Sequence, residues 1–230
     1  MKHNLGEKFE YRGVVVQQCH DNVLIQYDQF GTLRMNDTGY HDGEIELDNR
    51  FSEIVQYLKT KKNPRYTMIE LGSNWGYYSL IFQKILQPNA FTILVEPFEA
   101  KLQRGIANFK INDVEGIFVN KAIGSTHKGN SAQIINVPST TLTQLLKTYW
   151  LHFIDILHCD IDGSELIALE ESKYLFTDKR IRYVFLLTHN KNVPNVHEDC
   201  KKLLTDAKYE ILFEVTNGTI GCDDLIIAKA

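Results

Sequence analysis

The sequence predicts an α/β protein built on a mostly parallel sheet with helices on both faces. From residue 66 onward, short apolar runs alternate with segments of helical periodicity of about ten residues, which is typical of strand–helix–strand units. The last two apolar runs are separated by a short turn at Asn217-Gly218, so we expect these strands to pair antiparallel. A small β-rich segment precedes this alternating region.

The alternating region divides into strands and helices of ordinary length. Apolar runs predict strands at residues 66–71, 91–95, 115–120, 153–159, 183–187, 211–215 and 225–228. Apolar residues at helical spacing predict helices at residues 47–58, 75–86, 98–109, 141–149, 164–171 and 195–207. Thr141 and Gln144 have the spacing of a capping box, which satisfies backbone donors at a helix start. Residues 124–139 are irregular and predict a long loop.

The N-terminal part of the chain has a different character. We predict a β-rich cap at residues 1–44 and a main domain at residues 45–230. The cap is expected to contain strands at residues 14–16, 24–27 and 32–35, a turn at residues 28–31 and a loop at residues 37–43.

Composition indicates a soluble globular protein without a nucleic-acid or membrane partner. The net charge is −4, and no apolar run approaches the roughly 20 residues that span a bilayer. Residues 1–7 lack the apolar core of a signal peptide. The cysteines have no Cys-x-x-Cys spacing, which predicts free thiols in a reducing cytosol. They are Cys19, Cys159, Cys200 and Cys222. We therefore expect a cytoplasmic location.

The most informative stretch is residues 68–80. An apolar run reaches Glu70, turns through Gly72 and Gly76, and continues as an amphipathic helix. Such a turn brings backbone N–H groups and a helix N-terminus close to a ligand, with no Cβ in the way at the glycines. The carboxylate before the turn favours a ligand with positive charge or several donors. This is a first indication of S-adenosylmethionine (SAM), which carries an ammonium and a sulfonium.

The next strand end narrows the class of cofactor. Glu96 lies at this strand end, about twenty residues after the glycine turn, which is the spacing at which an acidic residue binds a ribose. Phe98, two residues later, is placed to lie against adenine. These features alone fit both a dinucleotide and SAM. Asn74, however, stands where the dinucleotide fingerprint has its second glycine, and this argues against NAD.

Several motifs occur in one order along the chain. They are residues 70–79, Val95-Glu96-Pro97, residues 120–124, Thr140-Thr141-Leu142 and the acidic element at residues 160–165. Together they resemble the FkbM family of SAM-dependent methyltransferases over roughly residues 66–228. The resemblance implies the Rossmann-like, seven-stranded class I methyltransferase fold. It also implies methyl transfer to a hydroxyl, often of a sugar or natural product, with S-adenosylhomocysteine (SAH) as the product of the cofactor.

The chain departs from the family pattern at three positions. Asp162 stands where the family usually has glutamate, and His158 where it usually has lysine. Thr188 replaces a glutamate before the histidine at the end of the fifth strand. The last change removes a carboxylate that a role such as metal binding would need there.

The strand ends and the resemblance together predict the residues that contact SAM. They are Glu70, Gly72, Ser73, Asn74, Tyr77, Glu96, Pro97, Phe98, Asn120, Ala122 and Asp160. Trp75, Tyr77 and Tyr78 open the helix after the glycine turn, and aromatic faces suit sugar stacking as well as core packing. We expect Tyr77 near the cofactor or acceptor and Tyr78 packed inward.

Methyl transfer to a hydroxyl is helped by a general base, because a neutral sugar hydroxyl is a poor nucleophile. His189, at the end of the fifth strand, is the predicted base, since an ordinary imidazole is largely neutral at about pH 7. Asp160 and Asp162 complete the predicted catalytic set.

A divalent metal is a further hypothesis for the acidic element. His158, Asp160 and Asp162 alternate, so they share a face if the strand persists, and an imidazole with two carboxylates can hold such an ion. In the interpretation that we favour, Asp160 instead contacts the methionine part of SAM. Asp162 and Glu165 then organise the loop and the next helix.

The sequence thus predicts a SAM-dependent O-methyltransferase acting on a hydroxyl of a sugar or glycan. A nicotinamide-dependent oxidoreductase is the second hypothesis, and the glycine turn disfavours it. A non-catalytic domain that kept the fold is the third. The intact cofactor motif at Glu70, Asn74 and Glu96 argues against this last class.

Overall fold

A computed structural model describes residues 4–26, 42–124, 137–220 and 223–230. Its strands are β1 (Lys8–Tyr11), β2 (Val14–Gln18), β3 (Leu24–Gln26), β4 (Tyr66–Leu71), β5 (Ala90–Val95), β6 (Ile117–Val119), β7 (Ala122–Ile123), β8 (Ser139–Thr140), β9 (Ile154–Cys159), β10 (Ile181–Thr188), β11 (Glu210–Ile220) and β12 (Asp223–Lys229). Its helices are α1 (Asp42–Thr60), α2 (Tyr77–Leu86), α3 (Glu99–Ile111), α4 (Leu142–Thr148), α5 (Glu165–Glu170), α6 (Lys173–Thr177) and α7 (Val196–Asp206). The turn predicted at residues 28–31, the strand predicted at residues 32–35 and most of the two predicted loops lie outside the described residues.

The central sheet has seven strands in the order β11-β12-β10-β9-β4-β5-β6. The strands from β10 to β6 run parallel, and β12 pairs antiparallel with both β10 and β11. The predicted mostly parallel sheet with an antiparallel closing strand is therefore confirmed. The chain goes from β4 to β5 and β6 on one side, and from β9 to β10 on the other. The switch point, where ligands bind in such sheets, lies at the carboxyl ends of β4 and β9.

The predicted β-rich N-terminal segment is confirmed as an antiparallel sheet of β1, β2 and β3. The predicted capping box is also confirmed at the start of α4. Thr141 Oγ1 accepts from Gln144 N at 3.1 Å, and Thr141 N donates to Gln144 Oε1 at 3.0 Å. None of the helices in the described ranges is long and apolar enough to cross a membrane.

One local prediction differs from the structure, and two short elements were not predicted. The turn predicted at Asn217-Gly218 is wrong, because β11 continues to Ile220. A register shift against β12 between Val215 and Ile220 lets the strand pass through this pair. The sequence also gave no sign of β1 or α6, since elements of four and five residues are too short for a periodic pattern.

Each face of the central sheet has its own apolar core. Ile69 and Leu71 of β4 belong to the core under α4, α5, α6 and α7, whereas Met68 belongs to the core under α1 and α2. All residues of β4 are buried, and a strand covered on both faces is apolar on both sides. Glu70 is the one charged residue of this strand, so its position beside the switch point requires a functional or structural reason.

The N-terminal sheet joins the main domain through two asparagines of α3. Asn112 Oδ1 accepts from Leu24 N at 2.9 Å, and its Nδ2 donates to Leu24 O at 2.6 Å. One helical turn earlier, Asn108 Oδ1 accepts from Gln26 N at 2.9 Å. These amides satisfy main-chain groups along β3. The contact also brings three residues of the cap into the core under α1 and α2: Cys19, Val23 and Ile25.

Asn112→Ala is expected to lower the free energy of unfolding by about 1–3 kcal/mol, because the partly buried N–H and C=O of Leu24 both lose their partner. Urea unfolding measures this loss. The matched control is Gln103→Ala on the exposed side of α3, which should stay within about 0.5 kcal/mol of the wild type. Equal effects of the two substitutions would show that the asparagine does not hold the cap.

Candidate functional site

Gly72 places the turn after β4 directly against the end of β9. Its φ of +74° lies in the left-handed region, and a Cβ there would stand 1.7 Å from the carbonyl oxygen of Asp160. Asp160 N donates to Leu71 O at 3.0 Å, so the pairing of the two strands continues up to the turn. Only glycine permits this approach, and it sets the two strand ends side by side at the switch point.

The second glycine of the motif serves packing. Gly76 has a φ of +75°, and a Cβ there would lie 2.8 Å from Leu94 Cδ2 and 3.0 Å from Phe109 Cε2. It is the N-terminal cap residue of α2. The missing side chain therefore lets the start of α2 lie close to β5 and α3.

A partly open cavity with a volume of about 70 Å³ adjoins the glycine turn. It is lined by the end of β4, the turn, the start of α2, the end of β9 and the cap: Cys19, Ile25, Glu70, Gly72, Ser73, Asn74, Trp75, Tyr77, Tyr78, His158 and Asp160. Six of the predicted cofactor residues are among them: Glu70, Gly72, Ser73, Asn74, Tyr77 and Asp160. The structure thus gathers more than half of the predicted cofactor set around one cavity.

Sequence reasoning missed the two residues that the cap contributes to this cavity. Cys19 and Ile25 lie far from the glycine turn along the chain and reach it because β3 docks on α3. No local motif marks either residue, so the sequence carried no signal that would have found them.

Polar groups at the cavity suit a ligand that carries positive charge and hydrogen-bonding groups. Ser73 Oγ and Asn74 Oδ1 are buried and have no hydrogen-bond partner among the described residues. Leaving such an atom unpaired costs about 1–3 kcal/mol, which a bound ligand can offset. The carboxylates of Glu70 and Asp160 line the same cavity, and Glu70 Oε2 accepts from Ser79 N at 3.2 Å. This set of groups fits the ammonium-bearing end of SAM.

Glu96 ties the end of β5 to the glycine turn. Its Oε2 accepts from Asn74 N at 2.8 Å, and its Oε1 accepts from Phe98 N at 2.9 Å. Burial raises the pKa of this carboxyl group, an effect that the two N–H donors partly oppose. A carboxylate has about four acceptor positions, so two remain for a ribose diol. Glu96 does not line the cavity, and its contact with a ribose stays a prediction.

Asn120 joins the ends of β5 and β6. Its Nδ2 donates to the carbonyl oxygens of Glu96 and Pro97, at 3.0 Å in each case. Ala122 is buried and pairs with Ser139 of β8. Pro97, Phe98, Asn120 and Ala122 lie outside the cavity lining, so their contacts with SAM remain predictions.

The two tyrosines at the start of α2 take different partners. Tyr77 Oη donates to Asp48 Oδ2 of α1 at 2.7 Å, and both residues are buried. Tyr78 packs inward, as its position predicted, with its ring centroid 4.3 Å from that of His158 and 4.9 Å from that of Phe51. Both tyrosines reach the cavity, so α2 contributes its aromatic wall.

His189 lies at the end of β10, with its imidazole among three carboxylates. Nδ1 lies 2.8 Å from Glu165 Oε1, while Nε2 lies 3.4 Å from Asp160 Oδ1 and 3.6 Å from Asp162 Oδ1. Glu165 Oε1 also accepts from Ile161 N and Gly163 N, which fits its predicted role in organising the loop. The structure thus brings the predicted catalytic residues together beside the cavity, which Asp160 lines. The contact between Glu165 and the imidazole is the part that sequence reasoning missed.

The three residues of the metal hypothesis are not gathered into a ligand set. The ring of His158 packs against that of Tyr78 with 4.3 Å between the centroids, whereas the side chain of Asp162 is 73% exposed. Among the described residues, the ligand atoms that lie within 4.8 Å of one another belong to a different group: His197, Glu198 and Glu214.

In that second group, the carboxylate of Glu214 already binds the ammonium of a lysine side chain. Lys201 Nζ donates to Glu214 Oε1 at 2.7 Å, and the same oxygen lies 2.9 Å from His197 Nε2. His197 Nδ1 lies 2.8 Å from Thr188 Oγ1. These contacts are those of a structural network that joins β10, α7 and β11.

The strand order, the glycine turn and the acidic strand ends together define a SAM-dependent methyltransferase. Residues 37–211 match the family described as the methyltransferase FkbM domain. The match covers most of the chain, and the chain belongs to this family. A comparison with curated proteins found no match.

Solved structures share this fold at low sequence identity. A fibrillarin/Nop5p complex is 10% identical, with 99% of each chain covered and a TM-score of 0.50. An O-methyltransferase from Bacillus cereus in complex with SAH is 9% identical, with 79% of this chain and 80% of that chain covered and a TM-score of 0.49. Human methyltransferase 10 domain containing protein is 16% identical, with 81% and 82% covered and a TM-score of 0.49. At 10% identity, the fibrillarin likeness shows the fold alone.

Gly72→Ala is expected to destabilise the protein by about 1–3 kcal/mol more than Gly13→Ala does, and to weaken SAH binding. Both glycines have a left-handed φ, +74° and +79°, but a Cβ at Gly13 meets nothing within 4 Å. The difference between the two variants therefore isolates the collision with Asp160 O. Urea unfolding and calorimetric titration with SAH measure it. Equal losses of stability and SAH affinity in the two variants would mean that the close contact with Asp160 O does not require a glycine at position 72.

Proposed function

We propose that the protein is an O-methyltransferase that moves the methyl group of SAM to a hydroxyl of a sugar or glycan. The observation that carries this proposal is the position of His189. Its Nε2 lies 3.4 Å from Asp160, and Asp160 lines the cavity next to the glycine turn. An imidazole beside the cofactor cavity is the group that an alcohol acceptor needs as a general base.

The described residues offer SAM a matching set of partners. Glu70 and Asp160 provide carboxylates for its ammonium, and Ser73 Oγ and Asn74 Oδ1 provide further hydrogen-bonding positions. Glu96 keeps acceptor positions for the ribose diol. When bound, SAM supplies an electrophilic methyl group on a sulfonium.

His189 is positioned to take the proton of the acceptor. The residue is 8% exposed, so its ring is largely shielded from solvent, and its Nε2 faces the side of the site where Asp160 and Asp162 lie. Proton transfer by a positioned side chain typically contributes about 10²- to 10⁴-fold in rate. Holding the acceptor oxygen close to the cavity adds an orientation effect of several kcal/mol, up to about 7–11 in well-oriented cases.

The preference for a sugar rests on two kinds of support. The FkbM resemblance implies hydroxyl acceptors, often sugars. Asp162, with 73% of its side chain exposed, and Asp160 present carboxylate oxygens that can accept from vicinal hydroxyls. The aromatic residues Trp75 and Tyr77 at the cavity can pack on a pyranose face.

We also propose the setting in which the enzyme works. The described cysteines Cys159 and Cys200 are free and buried, which supports a reducing, cytoplasmic compartment. The net charge of −4 supports an acceptor other than nucleic acid. The division into a cap at residues 1–44 and a catalytic domain at residues 45–230 is retained, with the cap forming part of the cavity wall.

The first experiment separates the three classes of function. Calorimetric titration should show binding of SAM and SAH and no binding of NAD; the reverse pattern would identify an oxidoreductase. Transfer of a labelled methyl group to a panel of mono- and oligosaccharides should then give a product. Tight SAM binding with no transfer to any hydroxyl acceptor, and none to amine or thiol controls, would identify a non-catalytic domain.

His189→Ala is expected to lower turnover by about 10²- to 10⁴-fold and to leave the SAM dissociation constant within about threefold of the wild type. The reason is that the imidazole lies beside the cavity and does not line it. The matched control is His152→Ala, an exposed histidine just before β9, at the opposite end from the site. Near-normal turnover of His189→Ala would remove the base from the mechanism.

The metal hypothesis has its own test. Because His158, Asp160 and Asp162 are not gathered as ligands, we expect EDTA treatment to leave turnover unchanged. Assays before and after EDTA, and after adding back Mg²⁺, measure this. A loss with EDTA that Mg²⁺ restores would show that a metal takes part and that the site rearranges to bind it.

A further inference from the structure

The carboxylate of Glu165 is buried in a place where no simple structural need puts a charge. Glu165 is the first residue of α5 and is 0% exposed. Its Oε1 accepts hydrogen bonds from Gly163 N at 3.0 Å and Ile161 N at 3.2 Å. The same oxygen lies 2.8 Å from His189 Nδ1. Its Oε2 is buried without a hydrogen-bond partner among the described residues. A buried charge of this kind is unfavourable unless another function maintains it.

We propose that Glu165 is a positioning residue that holds His189 in the tautomer with its proton on Nδ1, so that Nε2 is the base. This inference deepens the proposed function and rests on it only for the identity of the reaction. Glu165 does not line the cavity and contacts the imidazole at Nδ1, so its effect on the base is exerted through His189.

The tautomer follows from the hydrogen-bonding capacity of the two partners. An ionised carboxylate only accepts, and Oε1 already accepts from two backbone N–H groups. The short contact to Nδ1 therefore requires a proton on that nitrogen. In a neutral imidazole the other nitrogen then carries the lone pair. That nitrogen is Nε2, which faces Asp160 and Asp162 beside the cavity.

The same arrangement serves the second half of the proton transfer. As the acceptor O–H bond breaks and the Nε2–H bond forms, the electron pair of the O–H bond stays on the oxygen. This oxygen would bond to the methyl group as the sulfur–methyl bond of bound SAM breaks, and the electron pair of that bond would remain on the sulfur of SAH. The resulting imidazolium lies among three carboxylates: Glu165, Asp160 and Asp162. Opposite charges at this range stabilise the imidazolium. The proton then leaves from Nε2 to solvent on the side of Asp162, whose side chain is 73% exposed.

A purely structural role for Glu165 makes a different prediction. If the residue only organised the turn, its two backbone donors would be the whole of its function, and the proton of His189 would not depend on it. Glutamine keeps the size of the side chain and an acceptor oxygen for Ile161 N and Gly163 N. Because the same Oε1 meets Ile161 N, Gly163 N and His189 Nδ1, an amide oxygen at this point keeps the three contacts but removes the negative charge that favours a proton on Nδ1. Glu165→Gln therefore separates the support of the turn from the control of the imidazole.

The direct test is the protonation pattern of the His189 ring in the wild-type protein. Labelling with ¹⁵N-histidine and long-range nitrogen–proton correlation distinguish a protonated nitrogen from one with a lone pair. The chain has eight histidines, so the His189 signals are assigned by their absence in His189→Asn. We expect a protonated Nδ1 and an unprotonated Nε2 at mildly alkaline pH. A proton on Nε2, or an even mixture of tautomers, would overturn the proposal without any variant of Glu165.

The variant adds a second readout. In Glu165→Gln we expect a mixture of tautomers at His189, turnover lower by about tenfold or more, and SAH affinity within about threefold of the wild type. The matched control is Glu170→Gln at the exposed end of α5, which should change none of the three. If the tautomer of His189 is unchanged in Glu165→Gln and the circular dichroism spectrum is native, Glu165 does not control the tautomer and only stabilises the turn.

The outcome of this test is separable from that of the proposed function. The ring measurement uses the protein with SAH and needs no acceptor. If the tautomer is as expected but no methyl transfer is found, the position of the proton stands and the proposed reaction fails. If methyl transfer is found but His189 carries its proton on Nε2, the reaction stands and the role of Glu165 fails.

Discussion

The contact between Gly72 and the carbonyl oxygen of Asp160 is the constraint on which the rest of the site depends. A single Cβ at this point would lie 1.7 Å from that oxygen, so β4 and β9 can meet at the switch point only through a glycine. This contact puts the turn that is predicted to bind the cofactor next to the acidic element that begins at Asp160. Catalysis by orientation needs the two groups within a fixed distance, and the packing of two main chains supplies that distance.

Buried carboxylates at the strand ends give the site its rigidity. Glu70 accepts from Ser79 N in α2, Glu96 accepts from Asn74 N in the glycine turn, and Glu165, at the start of α5, accepts from Gly163 N in the turn before it. The raised pKa of Glu96 shows that burial opposes its charge, so the N–H groups must compensate for lost hydration. The same N–H groups hold the turns in place. Binding groups and loop conformation are therefore fixed by the same hydrogen bonds.

The N-terminal cap belongs to the site as well as to the fold. Its β3 edge is satisfied by Asn108 and Asn112 of α3, and this docking carries Cys19 and Ile25 to the cavity. The central sheet alone would leave the cavity more open on that side.

The sequence by itself determined the alternation of strands and helices, the antiparallel closing strand and the residues at the strand ends, because periodicity and turn chemistry are local. It also predicted His189, Asp160 and Asp162 as a catalytic set from their positions after β9 and β10, and the structure places the three side chains close together. The strand register of β11 at Asn217-Gly218, the docking of the cap and the contact of Glu165 with His189 depend on neighbours far away along the chain. Only the tertiary structure decided these, because each results from packing or hydrogen bonds between distant segments, whose pairing leaves no local pattern.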